Sequence, residues 1–149
     1  MRNATRRIRQ AFPLLAASSL YETTPVGFQN QPAYLNAALI IDAPDDPHRV
    51  HRIITDIEAD LGRKRTFVNA PRTIDIDILL LGDQVVQSDE LSIPHPRMLE
   101  RAFVMVPLAE IAPDVLHPVT GRSMTELAAE LGDTSSEVWI VEDPGWVDR

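Results

Sequence analysis

The chain has 149 residues, no cysteine, and 14 Lys+Arg against 22 Asp+Glu, a formal net charge of -8. A chain of this length buries about 70% of its unfolded surface around one core, and without Cys it has no disulfide framework, thiolate zinc site or cysteine nucleophile. No apolar run approaches the ~20 residues of a bilayer span, and the bulk acidity argues against nucleic acid or an anionic membrane as partner.

The chain opens on an expected amphipathic helix with Ala4, Ile8, Ala11 and Phe12 on one face, stopped by Pro13. Its Arg-rich, acid-free start also looks like a transit peptide; a surface helix with a solvated basic face is preferred. Residues 14–24 read as a strand, and 25–32 as a loop punctuated by Pro25 and Pro32. Residues 34–41 form a second, more apolar strand. Asp45 or Asp46 caps a helix with Pro47 in its first turn, which buries Val50, Ile53, Ile54 and Ile57 and ends near Gly62. Residues 62–71 are a basic loop, and Ile74 to Leu81 is the clearest strand in the chain. A short hairpin over 85–93 leads to Pro94-His95-Pro96. Two short helices, 103–111 and 124–131, precede a final strand over 137–141. Helices alternating with strands predict an α+β sandwich, a single domain spanning residues 1–149.

The charge is unevenly placed. Residues 1–101 hold 12 bases and 13 acids, whereas residues 102–149 hold 2 bases and 9 acids. Two windows are basic and free of acids: Arg2, Arg6, Arg7 and Arg9, then Arg63, Lys64, Arg65 and Arg72. No P-loop, G-x-G-x-x-G, H-E-x-x-H or G-x-S-x-G pattern occurs. His48 and His51 share a helix face and are read as solvated.

The chemically informative run is residues 62–79. On a strand, Asp75 and Asp77 point the same way, while Ile74, Ile76, Ile78 and Leu80 fill the core-facing side. Two adjacent carboxylates repel unless a cation lies between them. Hard oxygen donors of this kind suit Mg²⁺, which takes one or two carboxylates together with substrate phosphates. The basic window just upstream supplies arginines suited to bidentate phosphate binding. His95 and Arg101 add polar reach downstream. These residues point to an Mg²⁺-dependent site that handles a polyphosphate outside the P-loop class.

The run Gly62-Arg63…Pro71-Arg72-Thr73-Ile74-Asp75-Ile76-Asp77-Ile78-Leu79 closely resembles the signature of the 6-hydroxymethyl-7,8-dihydropterin pyrophosphokinase family of folate biosynthesis. Three further stretches match in order and spacing: residues 18–27 (SSLYETTPVG), 31–37 (QPAYLNA), and Ile93-Pro94-His95-Pro96 through Arg101-Ala102-Phe103 to Pro107-Leu108. The resemblance implies a ferredoxin-like antiparallel sheet with packed helices. It implies transfer of diphosphate from ATP to the pterin's hydroxymethyl group, leaving AMP, with two Mg²⁺ ions. A cytoplasmic monomer is expected, with an oligomer as the alternative if a missing strand is complemented. By the same resemblance Asp75 and Asp77 are metal ligands, and Arg63, Arg65 and Arg72 are catalytic phosphate-binding arginines. Glu58, Ile78, Ser92, His95 and Arg101 line the nucleotide. Tyr34 and Phe103 sandwich the pterin, Asn36 bonds its edge, and Thr23 and Val26 belong to the pterin-side loop.

Two departures stand out. Asn69-Ala70 precede Pro71 where the family usually has Gly. The family also begins with a strand and a Gly-Ser-Asn-type loop, whereas this chain begins in or just before the first helix. The expectation is a truncated or mis-assigned start that leaves out a central strand. The alternative function is then an inactive nucleotide- or pterin-binding remnant.

Overall fold

The computed structural model describes residues 1–23, 34–62 and 74–149. The expected loop over 25–32, with Val26, and the basic loop over 62–71 beyond Gly62, with Arg63, Lys64 and Arg65, lie outside the described residues, as does Arg72.

Helix α1 spans Arg2–Ala11 and buries Ala4, Thr5 and Ile8, with Phe12 buried just beyond. Thr5 thus takes the place expected for Ala11, which is exposed in the last turn. The basic face of α1 is not simply solvated. Arg2 pairs with Glu142 at 3.0 Å, Arg7 with Asp60 at 2.7 Å and Arg9 with Asp148 at 2.8 Å. Part of the acid excess of the C-terminal third is therefore matched against the basic N-terminal helix.

Each of the two expected long strands is divided. Strand β1 (Leu14–Ala17) pairs antiparallel with β4 (Leu39–Ile41), while β2 (Leu20–Thr23) lies between β3 (Tyr34–Asn36) and β7 (Val138–Glu142). The break falls at Ser18 on one chain segment and Ala38 on the other. The Ser18 N–H donates to the Ala38 carbonyl at 2.9 Å, and the Ala38 N–H donates to Ser18 Oγ at 2.9 Å. A hydroxyl thus replaces one rung of the ladder and lets the strand pair change sheets. The indole Nε1 of Trp146, fully buried, donates to the Ser18 carbonyl at 2.8 Å and closes this junction.

Helix α2 (Pro47–Gly62) begins as expected, with Asp46 Oδ1 accepting the Arg49 N–H. It buries Val50, Ile54, Ile57 and Leu61, with Ile53 half-buried beside them. Strands β5 (Val86–Gln87) and β6 (Ser92–Ile93) form the expected hairpin. A 3-10 turn over Met98–Glu100 leads into α3 (Ala102–Ile111), and α4 spans Met124–Ala129. Ser123 and Glu126 open α4 with a Ser-x-x-Glu signature, Ser123 Oγ accepting the Glu126 N–H at 3.2 Å. Ser123→Ala is expected to cost about 1 kcal/mol in urea unfolding, with no change in ligand binding.

The segment 74–80 is the main correction to the expected elements: it forms no ladder among the described residues. Its backbone groups are used elsewhere. The Ile76 N–H donates to Glu58 Oε2 at 2.9 Å, and the Leu79 carbonyl accepts the His95 N–H at 2.9 Å. The alternation of its side chains survives, since Asp75 and Asp77 are exposed between inward Ile74, Ile76 and Ile78. It fails at Leu80, which joins Leu79 in a second apolar cluster instead of continuing the isoleucine row.

Two apolar clusters define the layers. One joins α1 and α2 with Leu39, Ile41, Ile74, Ile76 and Ile78; the other joins α3 and α4 with Ala38, Ile40, Leu79 and Leu80. Consecutive residues of β4 face opposite clusters, as a strand requires. The α+β sandwich of helices and antiparallel strands is as expected. No described helix is long and apolar enough to cross a membrane.

Candidate active site

The site follows from which side chains share the α3 side. In an antiparallel pair, residues directly opposite each other project to the same face. Tyr21 is opposite Asn36 and Thr23 is opposite Tyr34. Positions 21 and 23 are two apart, so Tyr21, Thr23, Tyr34 and Asn36 all project to one face. That face is turned toward α3, because the Tyr21 hydroxyl donates to Glu110 on that helix at 2.7 Å. Helix α3 packs against β2, β3, β4 and β7 and carries Phe103 in its first turn. Asn36 Nδ2 donates to Thr23 Oγ1 at 2.7 Å, which orients the amide. Tyr34 is 58% exposed, so its ring face is open to a ligand and is not filling the core.

The carboxylates lie beside a second group. Asp77 Oδ2 is 4.0 Å from His95 Nε2, with the Asp77 side chain half exposed and the His95 ring largely covered. The Arg97 N–H donates to His95 Nδ1 at 3.2 Å. A neutral His95 therefore carries its proton on Nε2, the nitrogen facing Asp77. Glu58 holds the peptide between the two aspartates through Ile76, so α2 sets the height of the pair. The 3-10 turn seats on Met98, which is fully buried, and carries the chain from His95 to Arg101 within one short connection. The Arg101 guanidinium lies 5.6 Å from the centroid of Phe103, a cation–π contact. One cation thus adjoins both the histidine-bearing turn and the aromatic wall.

Of the expected site residues, the structure brings Asp77 next to His95, Glu58 onto the Asp75–Asp77 peptide, Arg101 onto Phe103, and Thr23 onto Asn36. Ile78 is half-buried against the α1–α2 cluster, and Ser92 lies on β6. Arg63, Arg65, Arg72 and Val26 lie outside the described residues. Sequence reasoning overlooked Glu110, Tyr21 and Trp146. A signal existed for Glu110: it is the one carboxylate in the otherwise apolar run Ala102–Ile111.

Asp75 and Asp77 fit Mg²⁺ by their chemistry. They are hard oxygen donors, both exposed, and no group of three or more ligating side chains occurs among the described residues. A two-carboxylate set leaves room for waters and substrate phosphates, which is how Mg²⁺ is usually held, unlike a closed Zn²⁺ or Ca²⁺ cage. Exposed hard donors next to His95, together with the exposed Tyr34 on the α3 side of the sheet, suit transfer of a phosphate-bearing group to a flat heteroaromatic acceptor.

Comparison with known proteins gives the same result. The family model for 7,8-dihydro-6-hydroxymethylpterin-pyrophosphokinase (HPPK) matches residues 1–113. The chain is 42% identical over 124 residues to the 2-amino-4-hydroxy-6-hydroxymethyldihydropteridine pyrophosphokinase of Methylorubrum extorquens, covering 83% of this chain and 77% of the relative. It is 38% identical over 141 residues to the Bacillus subtilis protein of the same name, covering 93% of this chain and 80% of the relative. It also matches the folic acid synthesis protein FOL1 of Dictyostelium discoideum, 39% identical over 116 residues, which is 78% of this chain but spans 18% of that much longer protein. This chain belongs to the HPPK family.

Proposed function

We propose that this chain transfers diphosphate from ATP to the hydroxymethyl group of 6-hydroxymethyl-7,8-dihydropterin, releasing AMP, as a step of folate biosynthesis. The observation that carries the proposal is the common face of Thr23, Tyr34 and Asn36 turned toward α3, with Arg101 linking Phe103 to the turn that brings His95 within 4.0 Å of Asp77. One half suits a flat ring with hydrogen-bonding edges, the other a polyphosphate.

In this account Asp75 and Asp77 hold Mg²⁺, two ions on the family's pattern; bound there, the metal neutralises phosphate charge and orients the reacting groups. The chain's own residues do the rest. Tyr34 and Phe103 grip the pterin between their rings, and Asn36, fixed by Thr23, reads its edge. Glu58 keeps the two aspartates at their height, and His95 presents its Nε2 proton beside Asp77. Arg101 contributes positive charge between the two substrates, and Ile78 and Ser92 flank the nucleotide. Arg63, Arg65 and Arg72 are assigned to the phosphates on their residue type and position in the family signature, and Val26 to the pterin-side loop. The finer fold reading is a single ferredoxin-like domain over residues 1–149, monomeric and cytoplasmic.

Phe103→Ala tests the acceptor half. It is expected to raise the KM for the pterin about 10- to 100-fold, since apolar burial and stacking of one ring are worth ~1.5–3 kcal/mol, with a much smaller change in KM for ATP. An unchanged pterin KM would remove Phe103 from the acceptor site.

A further inference from the structure

The Glu110 carboxylate gathers three donors from β2 and the residue just before it. The Ser19 N–H reaches its two oxygens at 2.9 and 3.1 Å, Ser19 Oγ reaches Oε2 at 2.9 Å, and the Tyr21 hydroxyl reaches Oε1 at 2.7 Å. Ser19 and Tyr21 are themselves buried, at 4% and 5% exposure, so these bonds also satisfy polar groups that have left water. Helix α3 is otherwise apolar, and an apolar contact slides along or rolls over its neighbour with little directional penalty. Three charge-assisted bonds to one carboxylate do not, because their geometry fails within a fraction of an ångström.

The position of this clasp matters because of what shares its elements. Glu110 lies seven residues after Phe103 in α3, two helical turns along the same side and about 10 Å down the axis. On β2, Tyr21 is opposite Asn36, and the next inward residue, Thr23, is opposite Tyr34. The clasp therefore joins the element bearing one wall of the ring site to the strand that holds the other wall and its hydrogen-bonding edge. Burial, reinforced by the Glu110 bond and charge, raises the Tyr21 pKa well above the ordinary phenol value, so Tyr21 remains a donor.

We infer that Glu110, clasped by Tyr21 and Ser19, is a positioning residue that sets the spacing between Phe103 and the Tyr34–Asn36 edge and thereby governs affinity for the flat acceptor. The inference rests on the proposed assignment of that acceptor site. Glu110 touches no substrate in this account; it acts through α3.

The test measures dissociation constants for the pterin, titrated with Mg²⁺ and a non-hydrolysable ATP analogue present, and separately for the analogue itself. Glu110→Ala and Tyr21→Phe are expected to weaken pterin binding by about tenfold or more, as sub-ångström misplacement does, and to change analogue binding less than twofold. Glu110→Gln keeps the side-chain shape and one acceptor oxygen and should fall between these variants and the parent. Tyr21→Phe removes a single oxygen, so it remains informative if Glu110→Ala does not fold. Equal weakening of both ligands, or no change in either, would overturn the inference. Phe103→Ala separates the two layers of reasoning. If it leaves pterin binding intact, the site assignment fails. If it weakens pterin binding while Tyr21→Phe and Glu110→Ala do not, only the clasp fails.

Discussion

Asp77→Ala is expected to lower kcat by about 10³-fold or more while leaving the fold intact. The first half follows from the assigned role. A metal acting on developing phosphate charge is worth several kcal/mol of barrier, and each 1.36 kcal/mol is tenfold in rate, so losing one of two protein ligands removes most of that term. The second half follows from burial. Asp77 is 50% exposed, and among the described residues it approaches His95 alone, at 4.0 Å, in a contact too long to be a hydrogen bond. Truncating an exposed side chain of this kind changes stability by a few tenths of a kcal/mol. Asp75→Ala is expected to act in the same direction. The check is steady-state turnover at saturating Mg²⁺ beside a urea melt of each variant. Retained turnover in Asp77→Ala would remove it from the metal site, and lost turnover with a collapsed melt would make its role structural.

Trp146→Ala is expected to have the largest effect on stability. The indole is fully buried, and its N–H is bonded to the Ser18 carbonyl at the point where the strands change sheets. Removing a buried Trp costs ~3–5 kcal/mol for the cavity, and the abandoned carbonyl adds ~1–3 kcal/mol. Against a typical total of ~5–15 kcal/mol, this leaves a protein that is marginal at 37 °C. Trp146→Phe refills much of the space but still orphans Ser18, so its loss should lie near the hydrogen-bond term alone. Equilibrium urea denaturation gives both numbers. A Trp146→Ala loss below about 1 kcal/mol would mean that the C-terminal turn does not brace the junction.

These two residues mark the extremes of what the sequence makes visible. Asp77 was legible because its chemistry and its period-two setting are local: charged and isoleucine residues alternate within one short run, and the side chains alternate in space as well. Helix α2 was legible for the same kind of reason, its buried Val50, Ile54, Ile57 and Leu61 recurring at helical spacing. Trp146 was invisible because its partner is 128 positions away. The pairs Arg2–Glu142 and Arg9–Asp148 likewise join the two ends of the chain, which is why the basic face of α1 read as solvated. Glu110 meets Ser19 across 91 positions. Strand propensity identified residues 14–24 and 34–41 as extended, but propensity carries no information about which sheet a strand joins. The division at Ser18 depends on a cross-strand hydroxyl that no local pattern announces. Residues 74–80 show the converse. Their alternation is that of a strand, yet they join no ladder among the described residues; the Ile76 N–H is bonded to Glu58 and the Leu79 carbonyl to the His95 N–H.

The acid excess of the whole chain reads differently once placed. The C-terminal third supplies Glu142 and Asp148 to the arginines of α1 and Glu110 to the β2 clasp, so much of its charge is engaged in holding the chain together. The residues near Asp77 include His95 and, further along the same connection, Arg101. Net charge over a whole chain says little about the field at one site.

The central claim is diphosphate transfer to a pterin, and product analysis tests it most directly. The purified chain is incubated with ATP, Mg²⁺ and 6-hydroxymethyl-7,8-dihydropterin, and the nucleotides are separated and quantified. The account predicts AMP in one-to-one ratio with diphosphorylated pterin, no ADP, and no AMP when either the pterin or Mg²⁺ is withheld. Formation of ADP, or binding of ATP and pterin with no AMP released, would contradict it.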